Sequence, residues 1–353
     1  MARSLMGGVM TTFTDRFRTN FDGNGSSFGD LVWFQDSGPA ALWLMNENQR
    51  IGVGTNLPDN GPTWHLRAAV EFDSGPFSPS ATPSSDLLWE NDNGAVAIWQ
   101  MQGDTASGAV TILRQTNILT GNSPGTHVVA ANDFDGSHTA DILFQRNDGS
   151  LQVDLMSSSS QFQSAPPIQQ NPGAAWHVVA SGDFDGDGKA GIVLHADTGQ
   201  TAIWEDFAVI PIDTHNNLGG RFFGQGNLQN NDPSWHVKGA ADFDRDGKSD
   251  IVWQNDNGAV AIWLQNGVQT RADGQLNITQ NNGPTWHVAA VRDMDGDGKA
   301  DILWQNDNGA AAVWEDFSFT PSVGTTPGTA SFATQLDIDP QANAPGQAGW
   351  HLL

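Results

Sequence analysis

Residues 293–309 read DMDGDGKADILWQNDNG, and the first six of them would open a calcium loop of the EF-hand type. Such a loop takes oxygen ligands at positions 1, 3, 5, 7 and 9, needs Gly at 6 and closes its shell with a Glu at 12. Counted from Asp293, Gly298 falls at the glycine position and Trp304 at the closing one. No carboxylate is there to complete the shell, and Ile302, Leu303 and Trp304 have the character of a strand rather than a helix. The stretch reads as an acidic loop that runs into a β-strand.

The pattern recurs. DFDRDGKSDIVWQNDNGAVAIW (242–263), DFDGDGKAGIVLHADTGQTAIW (183–204) and DFDGSHTADILFQRNDGSLQVD (133–154) keep the order loop, strand, turn, strand. Two further copies carry insertions in the loop, EFDSGPFSPSATPSSDLLWENDNGAVAIW (71–99, inserted at Phe77 to Ser85) and NFDGNGSSFGDLVWFQDSGPAALW (20–43, inserted at Ser26 to Gly29). The last loop position falls at 30, 86, 141, 191, 250 and 301, a spacing of roughly 50–60 residues, which is the range of repeat architectures. A second marker, Trp-His or its relic, precedes five of the loops at 64/65, 126/127, 176/177, 235/236 and 286/287, and a further Trp-His stands at 350/351. The chain thus starts inside one unit and supplies that unit's missing strand at its end.

A closed ring needs that offset, because the final strand then pairs beside the first ones and removes the open sheet edges. Within a unit, WHVAAV and ADILWQ alternate at period two, Asn-Asp-Asn-Gly marks a hairpin, and AAAVW and a looser segment follow. The reading is an all-β chain: a six-bladed β-propeller of four-stranded antiparallel blades, ring-closed by Trp350-His351. It forms a single domain over 1–353, with units at 12–62, 63–124, 125–174, 175–233, 234–284 and 285–345, and 346–353 closing the first.

Composition narrows the function. Forty acidic against 15 basic residues give a formal charge of −25, a field that repels nucleic acid and anionic lipid and attracts cations. No nucleic-acid partner is expected, and no apolar run is long enough for insertion into a membrane. There is no cysteine, hence no disulfide framework and no thiol chemistry. The opening MARSLMGGVMTTF is expected to be a poor secretory signal.

The loops DFDGDGKAG and DMDGDGKAD, each followed by an apolar strand, resemble the FG-GAP and VCBS class of propeller repeats, found in integrin α-subunits, bacterial secreted proteins and some lectins. The Phe-Gly and Gly-Ala-Pro signatures of the integrin form are missing, so the resemblance is closer to the VCBS style. It implies a secreted or cell-surface protein and structural calcium, two to four ions. It also implies loop ligands at positions 1, 3, 5 and 9 with a backbone carbonyl at 7. Carried onto this chain, the full set is Asp242, Asp244, Asp246 and Asp250 with Lys248, and Asp293, Asp295, Asp297 and Asp301 with Lys299. Partial sets are Asp183, Asp185 and Asp187, with Gly191 in the ninth position, and Asp133, Asp135 and Asp141, with Ser137 in the fifth. Asx turns could also stabilise such loops with no ion.

All 14 tryptophans fall in three repeat columns, expected first to pack between sheets. The six repeated His residues, His65, His127, His177, His236, His287 and His351, are each expected to hydrogen-bond a neighbouring blade. Opposite the Asp loops, the Asn/Asp-Gly hairpins would gather Trp286, His287, Trp304, Gln305, Asn306 and Asp307, and likewise Trp235, His236, Trp253, Gln254, Asn255 and Asp256. Aromatic planes beside amides and carboxylates suit a sugar, which stacks its C–H face on a ring and spends its hydroxyls on directional bonds. No nucleophile–base pair, phosphate loop or zinc spacing breaks the repeat. The expectation is a non-enzymatic, multivalent glycan binder, with a protein-binding or adhesion scaffold as the alternative and a hydrolase or lyase further behind.

Overall fold

The second strand of each unit centres on an apolar run, Ile-Val-Trp and Ile-Leu-Trp in the last two, and it is largely buried: Asp250–Asn255 and Asp301–Asn306 have no exposed residue. Such strands need cover on both faces. The computed structural model describes residues 19–21, 29–46, 49–52, 54–72, 84–120, 125–157, 162–164, 167–213, 217–229, 231–323, 326, 328–338 and 349–353. Most of the inserted loop segments of the first two units, within 26–29 and 77–85, lie outside these residues, as do parts of the first and last expected units.

The described chain is all-β, with no helix and many antiparallel sheets. One four-stranded sheet runs Trp64–Val70, Asp86–Asn91, Ala95–Asp104, Ala109–Thr120, each strand paired with the next in sequence. The same order holds for Thr126–Asn132, Asp141–Arg146, Leu151–Met156 and Phe162–Ser164, and for Trp176–Gly182, Gly191–Ala196, Thr201–Pro211 and Leu218–Asn227. The last two repeats share an eight-stranded sheet, because Gln269–Ile278 pairs in parallel with Gly328–Ile338. His351–Leu352 pairs antiparallel with Leu31–Phe34, setting Trp33 opposite Leu352 and Phe34 opposite His351. No helix among the described residues is long and apolar enough to cross a membrane.

The first strand carries a bulge at the same place in five units, between Leu66 and Ala68, Val128 and Ala130, Val178 and Ala180, Val237 and Gly239, and Val288 and Ala290. An extra residue there sharpens the twist and breaks the alternation. It leaves three consecutive buried residues at the strand's end, such as Ala290–Arg292.

Six apolar clusters make the core, and each is shared by two units rather than owned by one. Five join consecutive units, as Phe243 and Val252 meet Ile302 and Trp314. The sixth joins the last unit to the first, placing Leu303 and Val313 with Trp33, Trp43 and Leu352. Tryptophans of the second and third strands meet in tilted pairs: Trp33–Trp43, Trp89–Trp99, Trp253–Trp263 and Trp304–Trp314, with centroids 5.2, 5.1, 4.9 and 4.6 Å apart. That is the geometry in which ring quadrupoles attract.

Candidate metal centres and the opposite face

Each of the four Asp loops described in full, at 133, 183, 242 and 293, is wound around its first carboxylate. Asp293 accepts N–H bonds from Gly296 and Gly298 at 2.6 and 3.1 Å, while Asp295 accepts from Asp297 and Asp297 from Lys299. Asp183 and Asp242 repeat this with the backbone of Gly186 and Gly188, and of Arg245 and Gly247. The winding needs positive φ at the fourth and sixth positions, supplied by Gly296 and Gly298. Arg245 and His138 are held in the same left-handed region at 62° and 65°, a conformation that costs a non-glycine residue about 1 kcal/mol or more.

The winding turns the odd-numbered carboxylates inward. Oxygens of Asp293, Asp295 and Asp297 lie within 4.8 Å of one another, as do those of Asp242, Asp244 and Asp246, of Asp183, Asp185 and Asp187, and of Asp133, Asp135 and Asp141. Burial, reinforced by repulsion between neighbours, lifts Asp183, Asp242 and Asp295 above the ordinary carboxylate range, while the N–H donors pull the other way. A hard divalent cation removes that penalty, and all-oxygen donors in a tight loop are what calcium takes. The four groups therefore fit a metal ion. Lys248 and Lys299, expected to offer carbonyls, sit in these turns with their N–H groups on Asp246 and Asp297.

The ninth position has a second duty that the sequence reading missed. Asp250 accepts the Phe243 N–H on one oxygen and the Gln265 N–H on the other, at 3.0 and 2.9 Å. Asp30, Asp86 and Asp141 do the same, with Phe21 and Met45, Phe72 and Met101, and Phe134 and Met156. Asp301 accepts from Met294 at 2.6 Å. These carboxylates staple the loop to the end of the third strand. Asp141 also belongs to a three-carboxylate group, whereas Asp250 and Asp301 stand outside theirs. The staple persists beside both inserted loops, so Asp in this position marks the blade even where the loop motif is broken. Burial raises Asp141 to about 8 and Asp301 to about 9.

The loops are also tied to one another. The residue before the ninth position donates its N–H to the previous loop: Ser85 to Asn20, Ala140 to Glu71, Ala190 to Asp133, Ser249 to Asp183 and Ala300 to Asp242. Gly29 donates to Met294 at 2.6 Å, linking the first loop to the last.

Two loops are modified from outside. At 242, Arg271 of the fourth strand reaches Asp244 at 2.6 Å and Asp246 at 4.0 Å. At 183, where the ninth position is Gly191, the third strand brings Glu205 and Asp206 to Asp185, their oxygens again within 4.8 Å. Trp-Glu-Asp-Phe recurs at 204–207 and 314–317, a signal that could have drawn attention to this strand.

The opposite face departs from expectation. Trp253 and Trp304 are 0% exposed and pair with other tryptophans in the core, so neither offers a ring to a partner. Gln254 and Gln305 face the next unit instead: each donates to a backbone carbonyl, of Trp286 and Trp350, and accepts an N–H, from Val288 and Leu352. The amides of Asn255 and Asn306 donate to Ser234 and Thr285. What remains exposed are His236 with Asp256 and His287 with Asp307, each pair at 2.8 Å, beside the half-buried Trp235 and Trp286.

His65–Asp92 and His177–Asp197 repeat the arrangement at 2.7 and 3.0 Å. These histidines therefore bond the hairpin of their own unit, not a neighbouring one, because the first strand lies beside the second and its opening residue reaches the adjacent turn. Only His127 turns to the preceding unit, 3.4 Å from Glu90. The link between units belongs to the glutamine column.

Compared with known families, the FG-GAP-like repeat matches residues 133–194 and again 242–304. A search of curated proteins finds no significant match to the chain.

Proposed function

We propose that the chain is a calcium-stabilised, six-bladed propeller that binds carbohydrate without catalysing a reaction, through shallow sites repeated on the face of the Asn/Asp-Gly hairpins. Support for the ring comes from links between the two ends of the sequence: the Leu31–Phe34 pairing with His351–Leu352, the apolar cluster shared by first and last units, and the Gly29–Met294 bond. On this reading the whole of 1–353 is a single domain. Asp293, Asp295 and Asp297, and their counterparts in the other loops, would hold the ions; bound calcium would neutralise the inward carboxylates and lock the loops.

One observation carries the carbohydrate reading. Exposed His–Asp pairs recur in four units at the same register, each beside a half-buried Trp: Trp64, Trp176, Trp235 and Trp286. Each pair couples a donor and an acceptor next to an apolar ring edge, the combination a hydroxyl-rich ring uses. Several weak copies on one rigid body gain strength together. A reaction centre would be expected to set one unit apart, and these pairs repeat. FG-GAP-like repeats suggest an extracellular or surface setting, and we propose secretion. A glycan-array screen of the full chain, with calcium and with chelator, tests the reading; no sugar retained in either condition overturns it and leaves a protein-binding scaffold.

A further inference from the structure

The loop at 183 lacks the ninth-position carboxylate, and the space has been given to something else. A Cβ on Gly191 would lie 2.7 Å from the Trp204 carbonyl oxygen and 3.1 Å from the Glu205 Cβ. Gly224, paired opposite Glu205, would bring a Cβ to 2.6 Å from the Glu205 Cγ, and Gly267 of the next unit to 3.1 Å from its Oε1. Gly191 and Gly224 are not in the left-handed region, so their backbone does not require glycine. Their lack of a side chain makes room for the glutamate.

Glu205 is 8% exposed, and its buried Oε2 accepts no hydrogen bond from any described residue. A carboxylate oxygen buried without a donor is expensive unless a cation meets it. Around it are Asp185 and Asp206, within 4.8 Å, and Asp185 is in turn grouped with Asp183 and Asp187. Asp206 is held at φ 58°, a strained conformation for a non-glycine residue. Repulsion from these four aspartates adds to burial in raising Glu205 to about 7.

We propose that the fourth unit holds a divalent cation, calcium in the first place, between the Asp183–Asp187 loop and the third strand, with Glu205 and Asp206 as ligands in place of the missing ninth-position Asp. The inference rests on the calcium reading of the loops and adds two ligands from outside the loop motif. It raises the rank of a loop that the motif alone places below the full ones, because five carboxylates then surround the site. Affinity in such sites follows ligand charge and rigidity.

The test is ion stoichiometry of the full chain after equilibrium dialysis against calcium, with terbium luminescence sensitised by Trp204 as a local readout. Glu205→Gln and Glu205→Gln/Asp206→Asn should each bind one ion fewer than the wild type, or bind that ion at least about tenfold more weakly. Asp295→Asn should lose a different ion and leave the Trp204-sensitised signal in place. In chelator, Glu205→Gln should melt higher than the wild type, since the buried charge is gone; this shows that the variant folds. A wild type that binds ions with Glu205→Gln unchanged in number and affinity overturns this inference alone. A wild type that binds no divalent ion overturns it together with the calcium reading.

Discussion

The loops at 183 and 242 share DFDxDGK, yet the fold treats them in opposite ways. At 242 the ninth-position Asp250 is present and locked to two backbone N–H groups, and Arg271 brings a positive charge to Asp244. At 183 the staple is gone and Glu205 and Asp206 add negative charge. One loop has its charge partly offset by the protein itself; the other gathers more of it. The motif thus fixes the winding of the loop, and the strands that pass beneath it decide how much charge the winding encloses.

The largest test of this contrast is Asp250→Gly, which gives the 242 loop the ninth residue of the 183 loop. It leaves the Phe243 and Gln265 N–H groups buried without their acceptor, and should destabilise the fold by about 2–4 kcal/mol in denaturant titration. A loss under about 1 kcal/mol would mean that the staple is ornamental. Next in size, Arg271→Met should make the 242 loop bind calcium about tenfold more tightly, by removing the competing guanidinium. Isothermal titration reads this directly, and unchanged affinity would show that Arg271 does not compete.

The contrast also has a pH signature. Asp141 and Asp301 are raised to about 8 and about 9, from an unfolded value near 3.8. A folded state that holds protons more tightly than the unfolded chain loses stability as pH rises. In chelator, their contribution is full below the unfolded value and declines as pH climbs through the folded ones. Melting temperatures should therefore fall between about pH 5 and pH 9 without calcium, and fall less with it; a rise without calcium would contradict the assignment. The smallest effect belongs to His236→Ala. The pair with Asp256 is exposed, so stability should change by no more than about 0.5 kcal/mol. Any sugar bound at that unit should be lost, as measured on the array.

What could be read from the chain beforehand was whatever recurs locally. The spacing of the loops, the three tryptophan columns and the displaced Trp-His at 350/351 each repeat within a short window, and from them came the strands, their order and the inward carboxylates. Other features depend on partners brought together by pairing. Arg271 reaches Asp244 from the fourth strand and Glu205 reaches Asp185 from the third, and no periodicity announces either. The histidines were half legible: His177, His236 and His287 each stand the same distance before an Asp of the hairpin, and that fixed offset pointed to a partner inside the unit. Trp304 and Trp253 pack between sheets as their column predicts; only their place among the candidate ligand residues fails, because a ring next to a polar turn in sequence can still point into the wedge between sheets.

The pairing of Trp33 with Leu352 has a consequence for how the molecule forms. The other strand pairings join segments that leave the ribosome close together, so they can assemble in order as the chain grows. This one must wait for His351 and Leu352, and it closes a loop that contains all the other sheets. The entropy of such closure grows slowly with length, but the time needed to find the partner does not. Until then Leu31–Phe34 is paired with Ala40–Trp43 alone and keeps an open edge, which exposes the nearly finished protein to mispairing with another copy.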